Sequence, residues 1–406
     1  MHYNRKLFFY VVFLSVNFLF AQKIVSEEKN YVLKIQTKNK FERTQVTELG
    51  LIPEEIFEKY VRVIASAQEL NKIKSHLKLP FQVESEIKIE NIGIRDFPTQ
   101  DDAYHDYREM VLFLENLSQQ FPTRTRLHEI GQSLEGRKIL ALHISTEFDA
   151  SQSQAKPGIV FMGGHHAREH LSIEVPLNLA HFVLYESEKN QKLMDVLKER
   201  DLWIIPMVNP DGCEYDISPA YRWWRKNRRN NEDGSFGVDL NRNYGYEWGG
   251  RGASDNTSSQ IYHGASAFSE PETQTIRDFV DQHHNLKALV SYHTFSELIL
   301  YPWGYTYDSV SNPLDLKAYE NMAFEMSRIT GYTPQQSSDL YLTSGDTTDW
   351  AYGQHGIFSF TLELSPKSLD DGGFYPGNII DRVVQTNLQT AIFMIEMAGH
   401  PYTPPL

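Results

Sequence analysis

The sequence predicts a mixed, mainly parallel α/β sheet of the doubly wound type, flanked by helices and preceded by a small α+β unit. Near-continuous apolar runs are typical of central strands that helices cover on both faces. Four such runs span 158–162, 203–208, 288–292 and 357–364. Segments with helical character alternate with them, which is the pattern of a doubly wound sheet. Ligands of such sheets bind beyond the carboxyl ends of the strands, so we expect the functional site there.

Helices are predicted around these strands in the larger part of the chain. Apolar residues recur at helical spacing between residues 104 and 120, at Met110, Val111, Phe113, Leu114 and Leu117. Later segments are also predicted to be helical, at 172–186, 271–283, 313–330 and 378–398. We therefore expect a main domain over residues 99–406.

The preceding residues predict a separate small unit. Segments 31–35 and 60–65 have the composition of short strands, and segment 66–77 has the Ala, Leu, Lys and Glu content of a helix. Glycine, proline and charged residues cluster at 92–98, as in a linker. We expect this α+β unit to occupy residues 22–98.

Residues 1–21 have the features of a secretory signal peptide. Arg5 and Lys6 precede an apolar stretch, residues 7–20, which is short for a membrane span. Ala21 is a suitable last residue before cleavage, which favours a removed leader and an exported protein. An uncleaved membrane anchor is the alternative, because Leu19 is not the small residue preferred near such a cut.

Length and composition narrow the classes of protein. At 406 residues the chain exceeds the usual size of a single hydrophobic core, as expected for one large domain and one small one. The formal net charge of -14 argues against a nucleic-acid partner. Cys213 is the only cysteine, so no disulfide can form within the chain, and a small buried apolar residue is expected there.

A candidate metal site follows the first apolar run. Of fifteen histidines, only His166 is followed by a glutamate three residues later, Glu169. An imidazole and a carboxylate at this spacing can converge on one Zn²⁺, and Gly163 and Gly164 allow a sharp turn before them. A third ligand must come from elsewhere, and His293, which closes a later apolar run, is the best candidate. Three protein ligands leave one position open, as in catalytic zinc sites.

Other interpretations of this motif stay open. Histidine and glutamate at this spacing also form stabilising pairs on helix surfaces, worth only about 0.2 to 0.5 kcal/mol. His165 and His170, which flank the motif, could be ligands as well, but the spacing selects His166 with Glu169. We expect the flanking pair to be outer or surface residues.

Motifs further along the chain extend the pattern. They are Arg222-Trp223-Trp224-Arg225, Asp239-Leu240-Asn241-Arg242-Asn243, His293, Tyr341 and Glu363. With His166-Ala167-Arg168-Glu169 they resemble, in order, the motifs of the zinc metallocarboxypeptidases of the carboxypeptidase A/B family, especially the bacterial branch typified by carboxypeptidase T. The resemblance covers about residues 104–397. More loosely, residues 22–95 resemble the amino-terminal pro-segment of such enzymes.

The resemblance implies an exported enzyme, made as a zymogen, that hydrolyses the C-terminal peptide bond of peptides and proteins. It assigns one Zn²⁺ per chain to His166, Glu169 and His293. Glu363 would accept a proton from the attacking water, and Arg225 would stabilise the oxyanion. Glu363 is a chemically suitable residue for this role, because an unpaired carboxylate in an apolar strand is costly to bury and often marks a functional site.

The remaining motif residues are expected to bind substrate or to support the metal. Asn241 and Arg242 can fork onto a free terminal carboxylate, and Asp239 would orient His166 from outside the metal shell. The resemblance adds Tyr341 and two arginines, Arg168 and Arg222, as substrate-binding residues. Out of context, the basic run that contains Arg222 would be a solvated face, and Tyr341 would be a packed aromatic.

The residues expected at the specificity pocket predict a dual preference. Thr348 stands where the family has aspartate in the branch that cleaves after basic residues and an aliphatic residue in the apolar branch. Asp346 offers a carboxylate nearby, while Leu300 and Leu340 offer apolar walls. We expect basic and apolar terminal residues both to be accepted.

The expected partners are peptides and proteins with a free C-terminus. We predict no nucleic-acid partner and no stable membrane association after signal cleavage. We also predict a monomeric protein that is exported to the periplasm or the outside. Two alternatives remain: a cell-wall peptide carboxypeptidase acting on D- or isopeptide linkages, and a catalytically silent peptide-binding domain. Glu363, which binding alone does not need, argues against the silent domain.

Overall fold

The computed structural model describes residues 29–87, 97–149, 155–218 and 221–403. The expected signal peptide and most of the expected linker lie outside these ranges. Within them, no helix combines the length and apolar character needed to cross a bilayer.

The amino-terminal unit is a four-stranded antiparallel sheet with two helices. Its strands are β1 (Asn30–Gln36), β2 (Pro53–Ile56), β3 (Tyr60–Ser66) and β4 (Phe81–Ile87), in the order β2-β3-β1-β4; its helices are α1 (Lys40–Glu48) and α2 (Ala67–His76). Ser66 and Glu69 form a capping box that starts α2, as predicted to within a residue. The predicted strands at 31–35 and 60–65 are confirmed. Nothing predicted α1, β2 or β4, and β4 is largely exposed.

The main domain is built on one mixed eight-stranded sheet. Its strands are β5 (Thr125–Gln132), β6 (Lys138–Ile144), β7 (Gly158–Met162), β8 (Asp201–Ile205), β9 (Leu286–Thr294), β10 (Leu298–Tyr301), β11 (Thr333–Gln336) and β12 (Phe358–Leu364). Their order is β11-β10-β12-β9-β7-β8-β6-β5. The central strands β12, β9, β7 and β8 run parallel, while β10, β6 and β5 introduce antiparallel pairs. The predicted mixed, mainly parallel sheet is confirmed.

Helices cover both faces of this sheet. They are α3 (Tyr107–Gln120), α4 (Leu171–Glu186), α5 (Gln191–Lys198), α6 (Pro210–Asp216), α7 (Pro271–Gln282), α8 (Pro313–Thr330), α9 (Thr347–His355) and α10 (Ile380–Met397). Alternate side chains of β7 face opposite layers: Phe161 packs in the core under α4 and α10, and Val160 in the core under α7 and α9. Both layers are therefore apolar, which explains the continuous runs in the sequence.

The predicted helix positions agree closely with the structure. The helix predicted at 313–330 has those bounds, and the others differ by one to three residues at their ends. The strand predicted at 203–208 is displaced and spans Asp201–Ile205. It ends before Pro206, which has no backbone N–H to continue the ladder.

Candidate metal centre and active site

Three neighbouring parallel strands bring the predicted catalytic residues together. His166 and Glu169 follow the end of β7, His293 lies near the end of β9, and Glu363 lies near the end of β12. Glu363 pairs in register with His293. Because adjacent strands lie about 4.8 Å apart, the sheet sets the separation of these residues.

The two glycines before the histidine motif allow the chain to turn tightly there. A Cβ on Gly163 would lie 2.0 Å from the carbonyl oxygen of Ser172, and Gly164 has a φ of +64°. The first position has no room for a side chain, and the second has a left-handed conformation that favours glycine. The turn places the motif between β7 and the start of α4.

His166, Glu169 and His293 converge as a metal-binding cluster. Their ligand atoms all lie within 4.8 Å of one another, and all three residues are buried. His166 Nδ1 is 2.8 Å from Glu169 Oε1, His293 Nδ1 is 2.9 Å from Glu169 Oε2, and the two Nδ1 atoms are 3.1 Å apart. The predicted metal ligands are thus adjacent.

The outer nitrogens of both rings have partners that suit zinc ligation. His166 Nε2 lies 3.1 Å from Asp239 Oδ1, and His293 Nε2 lies 3.1 Å from Ser291 Oγ. When Nε2–H donates to these oxygens, each Nδ1 carries a lone pair directed towards Glu169. Two imidazole nitrogens and a carboxylate form the donor set of a catalytic zinc site, and the outer partners fix the tautomers.

Asp239 also holds Arg225. Arg225 donates from Nε and Nη2 to Asp239 Oδ2, at 3.1 and 2.9 Å. Burial alone would raise the pKa of Asp239, but the charge of Arg225 and the hydrogen bond from His166 outweigh it and hold the pKa well below its usual value. One ionised carboxylate therefore orients both a predicted metal ligand and the predicted oxyanion-binding arginine.

Glu363 lies on the wall of the same cavity, separate from the metal ligands. Burial raises its pKa well above the usual range, and the neighbouring Glu169 charge adds to this, while Arg225 acts in the opposite direction. A carboxyl group with a raised pKa accepts a proton more readily than an ordinary carboxylate, which suits a group that must take up a proton and release it again.

A cavity of about 500 Å³ connects the cluster to most of the predicted substrate-binding residues. Its lining includes Arg225, Asn241, Arg242, Leu300, Leu340, Tyr341, Asp346, Thr348 and Glu363. Burial raises the pKa of Tyr341 to about 12, so its phenol stays a neutral hydrogen-bond donor. The residues come from six separate stretches of the sequence, and the fold brings them to one cavity.

Asn241 and Arg242 are held rigidly at the cavity wall. Asn241 Oδ1 accepts from Thr347 N at 2.9 Å and from Thr347 Oγ1 at 2.8 Å, which directs the amide NH₂ away from Thr347. Arg242 donates from Nε to the Gly252 carbonyl at 3.0 Å and from Nη1 to the Asn241 carbonyl at 2.6 Å. Both side chains present fixed donors.

Asp346 has a structural role that the sequence did not reveal. It is the N-cap of α9, and its Oδ1 accepts from Asp349 N at 2.8 Å and Thr348 Oγ1 at 2.9 Å. Its Oδ2 accepts from Thr343 Oγ1 at 2.8 Å. Burial raises the pKa of Asp349, and the Asp346 charge contributes. The Asp346 carboxylate therefore lines the cavity and also fixes the loop that carries Tyr341.

Two predicted substrate-binding arginines do not line the cavity. Arg222 donates from Nε and Nη2 to the Ser218 carbonyl, at 2.9 and 2.6 Å, and its guanidinium lies over the Tyr215 ring. Arg168 is buried, stacks on Phe374 and is paired with Glu54 of the amino-terminal unit. Arg222 thus has a local role in this structure, and Arg168 is occupied.

The amino-terminal unit covers the cavity. Residues 52–57 form part of the lining. Arg43 donates to the carbonyls of Leu340 and Asp339, both at 2.6 Å, and Leu369 N donates to Glu55 Oε1 at 2.9 Å. These contacts flank the cleft, so the small unit lies across the entrance to the metal cluster.

Three residues of this region were not among the predicted site residues: Glu54, Ser291 and Thr347. Ser291 is two residues before His293 on β9, and strand alternation places both side chains on one face of the sheet. The sequence therefore did indicate that Ser291 lies beside His293. Glu54 and Thr347 depend on contacts between distant segments, for which the sequence carries no local sign.

Two imidazoles and a carboxylate converge on one point, and a separate carboxyl group and an arginine stand beside the same cleft. These are the parts of a metal-dependent hydrolase. The family model for zinc carboxypeptidases matches residues 110–390, and the chain belongs to this family. The predicted resemblance is confirmed. The chain is therefore a zinc metallocarboxypeptidase, an enzyme that acts on peptides.

Individual relatives agree with this assignment. A zinc carboxypeptidase from Saccharothrix mutabilis subsp. capreolus is 36% identical over 315 residues, covering 75% of this chain and 71% of the relative. A carboxypeptidase B from Astacus astacus is 32% identical over 272 residues, covering 64% of this chain and 86% of the relative.

Solved structures match nearly the whole chain. Carboxypeptidase A from Helicoverpa armigera superposes with a TM-score of 0.76 at 26% identity, over 92% of this chain and 98% of that one. Thrombin activatable fibrinolysis inhibitor superposes with a TM-score of 0.72 at 28% identity, over 92% of this chain and 99% of that one. The matched fold therefore includes more than the family domain alone.

Proposed function

We propose that this zinc carboxypeptidase is an exported proenzyme that removes single apolar or basic residues from the C-terminus of peptides and proteins. One observation carries the proposal: a single cavity joins the metal cluster and Glu363 to the donors of Asn241 and Arg242. A substrate whose terminal carboxylate meets those donors would present its last peptide bond to the cluster.

The metal site and Glu363 supply the attacking water. Zinc bound by His166, Glu169 and His293 provides Lewis-acid chemistry, which polarises a carbonyl and makes water acidic near neutral pH. Glu363 takes the proton of the attacking water and passes it to the departing amine. Its separation from the ligands leaves it free for both transfers.

Arg225 stabilises the negative charge that develops on the scissile carbonyl. Its guanidinium is buried, and Asp239 fixes two of its nitrogens. A donor that is already oriented loses no free energy to reorganisation during the reaction. Asp239 thereby serves both the oxyanion site and the metal site.

Asn241 and Arg242 make the enzyme an exopeptidase by binding the free carboxylate, with Tyr341 as a further donor above the substrate. Charge-assisted bonds from a fixed guanidinium are strong and directional. An internal peptide segment or an amidated terminus offers no carboxylate and would leave these buried donors unpaired. No substrate role is proposed for Arg222, and Arg168 becomes available only when Glu54 leaves.

The specificity pocket is proposed to take both classes of side chain. Leu300 gives it an apolar wall, and Thr348 is too small to close it. Asp346 offers negative charge to a basic head group, although its oxygens are already hydrogen-bonded. We therefore expect apolar termini to be cleaved at least as well as basic ones.

The unit at 22–98 is proposed to be an inhibitory pro-segment. Glu54 places a carboxylate against Arg168 and close enough to influence the charges of Arg225 and Glu363. A carboxylate there competes with the terminal carboxylate of a substrate. Cleavage between this unit and the domain at 99–406 would open the cleft.

The proposal of export rests on the leader at 1–21 alone, and the destination is the periplasm or the outside. We propose that the enzyme is monomeric and does not stay attached to a membrane. A cell-wall peptide carboxypeptidase, specific for D- or isopeptide bonds, is the alternative. The fixed Asn241–Arg242 pair beside Tyr341 favours ordinary L-peptides.

The test is terminal-residue release from peptides ending in Phe, Leu, Arg, Lys or D-Ala, and from their amidated forms, before and after limited proteolysis. We expect activity on the free L-termini, none on the amides, a rise after proteolysis and loss on chelation. Activity confined to D-Ala would establish the alternative. If the zinc-bound protein hydrolysed none of these peptides under any condition, the chain would be a catalytically silent peptide-binding domain.

A further inference from the structure

A buried histidine beside the metal cluster has no role in the chemistry above. His165 is 1% exposed, and its ring stacks on that of His293 with centroids 5.6 Å apart. Its nitrogens do not belong to the converging ligand set. Each of its two ring nitrogens contacts other buried side chains, and the two sets of contacts lie on opposite sides of the ring.

The Nδ1 side of His165 leads to the metal ligand. Ser291 Oγ lies 3.3 Å from His165 Nδ1 and 3.1 Å from His293 Nε2. When His293 uses Nδ1 for the metal, its Nε2–H donates to the Ser291 oxygen. The serine hydroxyl is then free to donate to His165 Nδ1, which places the proton of His165 on Nε2.

The Nε2 side of His165 leads to the carboxylate-binding pair. His165 Nε2 lies 2.9 Å from the Tyr244 hydroxyl and 3.3 Å from Thr347 Oγ1. Thr347 in turn donates from Oγ1 to Asn241 Oδ1 at 2.8 Å. That bond sets the plane of the Asn241 amide and therefore the direction of its NH₂ group.

We propose that His165 is a positioning residue that couples the metal ligand His293 to Asn241. The His165 Nε2–H is shared between the Tyr244 hydroxyl at 2.9 Å and Thr347 Oγ1 at 3.3 Å. With the second of these contacts, the donors from His293 through Ser291, His165 and Thr347 all point the same way, and the path is buried throughout. An enzyme that removes one terminal residue must hold the substrate carboxylate at a fixed distance from the attacked bond. This path ties together the two protein groups that define that distance. The inference rests on the proposed function, because it takes Asn241 to bind the terminal carboxylate.

Two matched substitutions separate the ends of the path. His165→Asn keeps an acceptor near the Nδ1 position and loses the Nε2 donor. His165→Gln keeps a donor near the Nε2 position and loses the Nδ1 acceptor. His165→Phe removes both and retains a flat ring.

Two measurements, made after the limited proteolysis that is expected to open the cleft, report on each end without turnover. The first is the rate of zinc release to a chromogenic chelator. The second is the affinity for 3-phenylpropanoate divided by that for 3-phenylpropanamide, which lacks the carboxylate. His165→Asn should lower the affinity ratio about tenfold with wild-type zinc release. His165→Gln should speed zinc release about tenfold, at the lower end of the effects seen for partners of metal-bound histidines. His165→Phe should do both.

Variants at the two ends of the path give an independent test if His165 substitutions do not fold. Ser291 does not line the cavity, yet Ser291→Ala should lower the affinity ratio about threefold, and this loss should vanish in a Thr347→Val background. A ratio unchanged by Ser291→Ala, or equal losses for both ligands in His165→Phe, would overturn the coupling. If the wild-type chain itself does not distinguish carboxylate from amide, the binding role of Asn241 fails, and the proposed function with it.

Discussion

The Glu54 carboxylate and the Arg168 guanidinium lie 2.5 Å apart, across the junction between the small sheet and the active-site cavity. Both side chains are nearly buried, at 7% and 2% exposure. Arg168 follows the predicted metal ligand His166 by two residues. A single ion pair therefore joins the amino-terminal unit to the loop that carries two of the predicted metal ligands.

Neutralising Glu54 should weaken this attachment. Glu54→Gln leaves Arg168 without its charged partner, and breaking one side of a buried pair is strongly destabilising to the contact. We expect the intact chain to hydrolyse a short peptide about tenfold faster than wild type. Glu58→Gln, which changes an exposed glutamate of the same unit, is the control. Equal rates in all three proteins would show that Glu54 does not restrain the cleft.

Glu363→Gln should abolish hydrolysis and keep the metal. Glutamine preserves the shape of the side chain, but it cannot take a proton from water. We expect turnover to fall by at least about 10²-fold, as for other positioned bases, with one zinc per chain by metal analysis. Glu169→Gln is the matched comparison and should lose zinc. If Glu363→Gln lost zinc to the same extent, Glu363 would be a ligand.

The two functions of Asp346 can be separated by two substitutions. Asp346→Asn removes the charge but keeps an oxygen to cap α9 and an amide that can donate to Thr343. We expect kcat/KM to fall about tenfold for terminal Arg and Lys, a loss of about 1.4 kcal/mol, with little change for terminal Phe. Asp346→Ala also removes the cap, worth about 1 kcal/mol, and should impair every substrate. A uniform loss in Asp346→Asn would mean that Asp346 only supports the loop.

Glu272 should make the stability of the fold depend on pH. Burial raises the pKa of this glutamate from 4.5 to about 7, and the charge of Glu270 contributes. Between pH 4.5 and 7 the folded chain holds a proton that the unfolded chain has released, so stability falls as pH rises. The expected loss is roughly 3 kcal/mol across this window.

Denaturant unfolding of wild type and Glu272→Gln, with saturating zinc, measures this effect. Glutamine keeps the oxygen that accepts from Leu134 N and does not titrate. The difference between the two stability curves should change steadily from pH 5 to 7 and level off above. Parallel curves would show that Glu272 is ionised throughout.

The meeting of the predicted site residues could be anticipated because their positions are set locally or by strand order. Runs of apolar residues located the strands, and His166, His293 and Glu363 stand at strand ends, where the topology brings them together. Residues with several partners were harder. The sequence suggested that Asp346 reads the substrate, but it could not show that the same oxygens cap a helix.

Contacts between the two units lay beyond prediction for a different reason. Glu54 and Arg168 are 114 residues apart in sequence, and their meeting depends on how one folded unit docks on another. Docking depends on the shape and charge of whole surfaces, and a local sequence pattern does not predict either of them. The strand that bears Glu54 has four residues and no strong strand pattern, so even its existence was missed.

The in-register pairing of Glu363 with His293 means that heat should inactivate this enzyme late and alter its selectivity early. Paired central strands exchange their backbone protons only when a domain opens globally, whereas loops fluctuate at far lower energy. The spacing between proton acceptor and ligand is therefore as durable as the domain itself. We expect substrate preference to depend on the segment around Tyr341 and Asp346, which can shift with temperature or mutation while the paired strands keep their spacing.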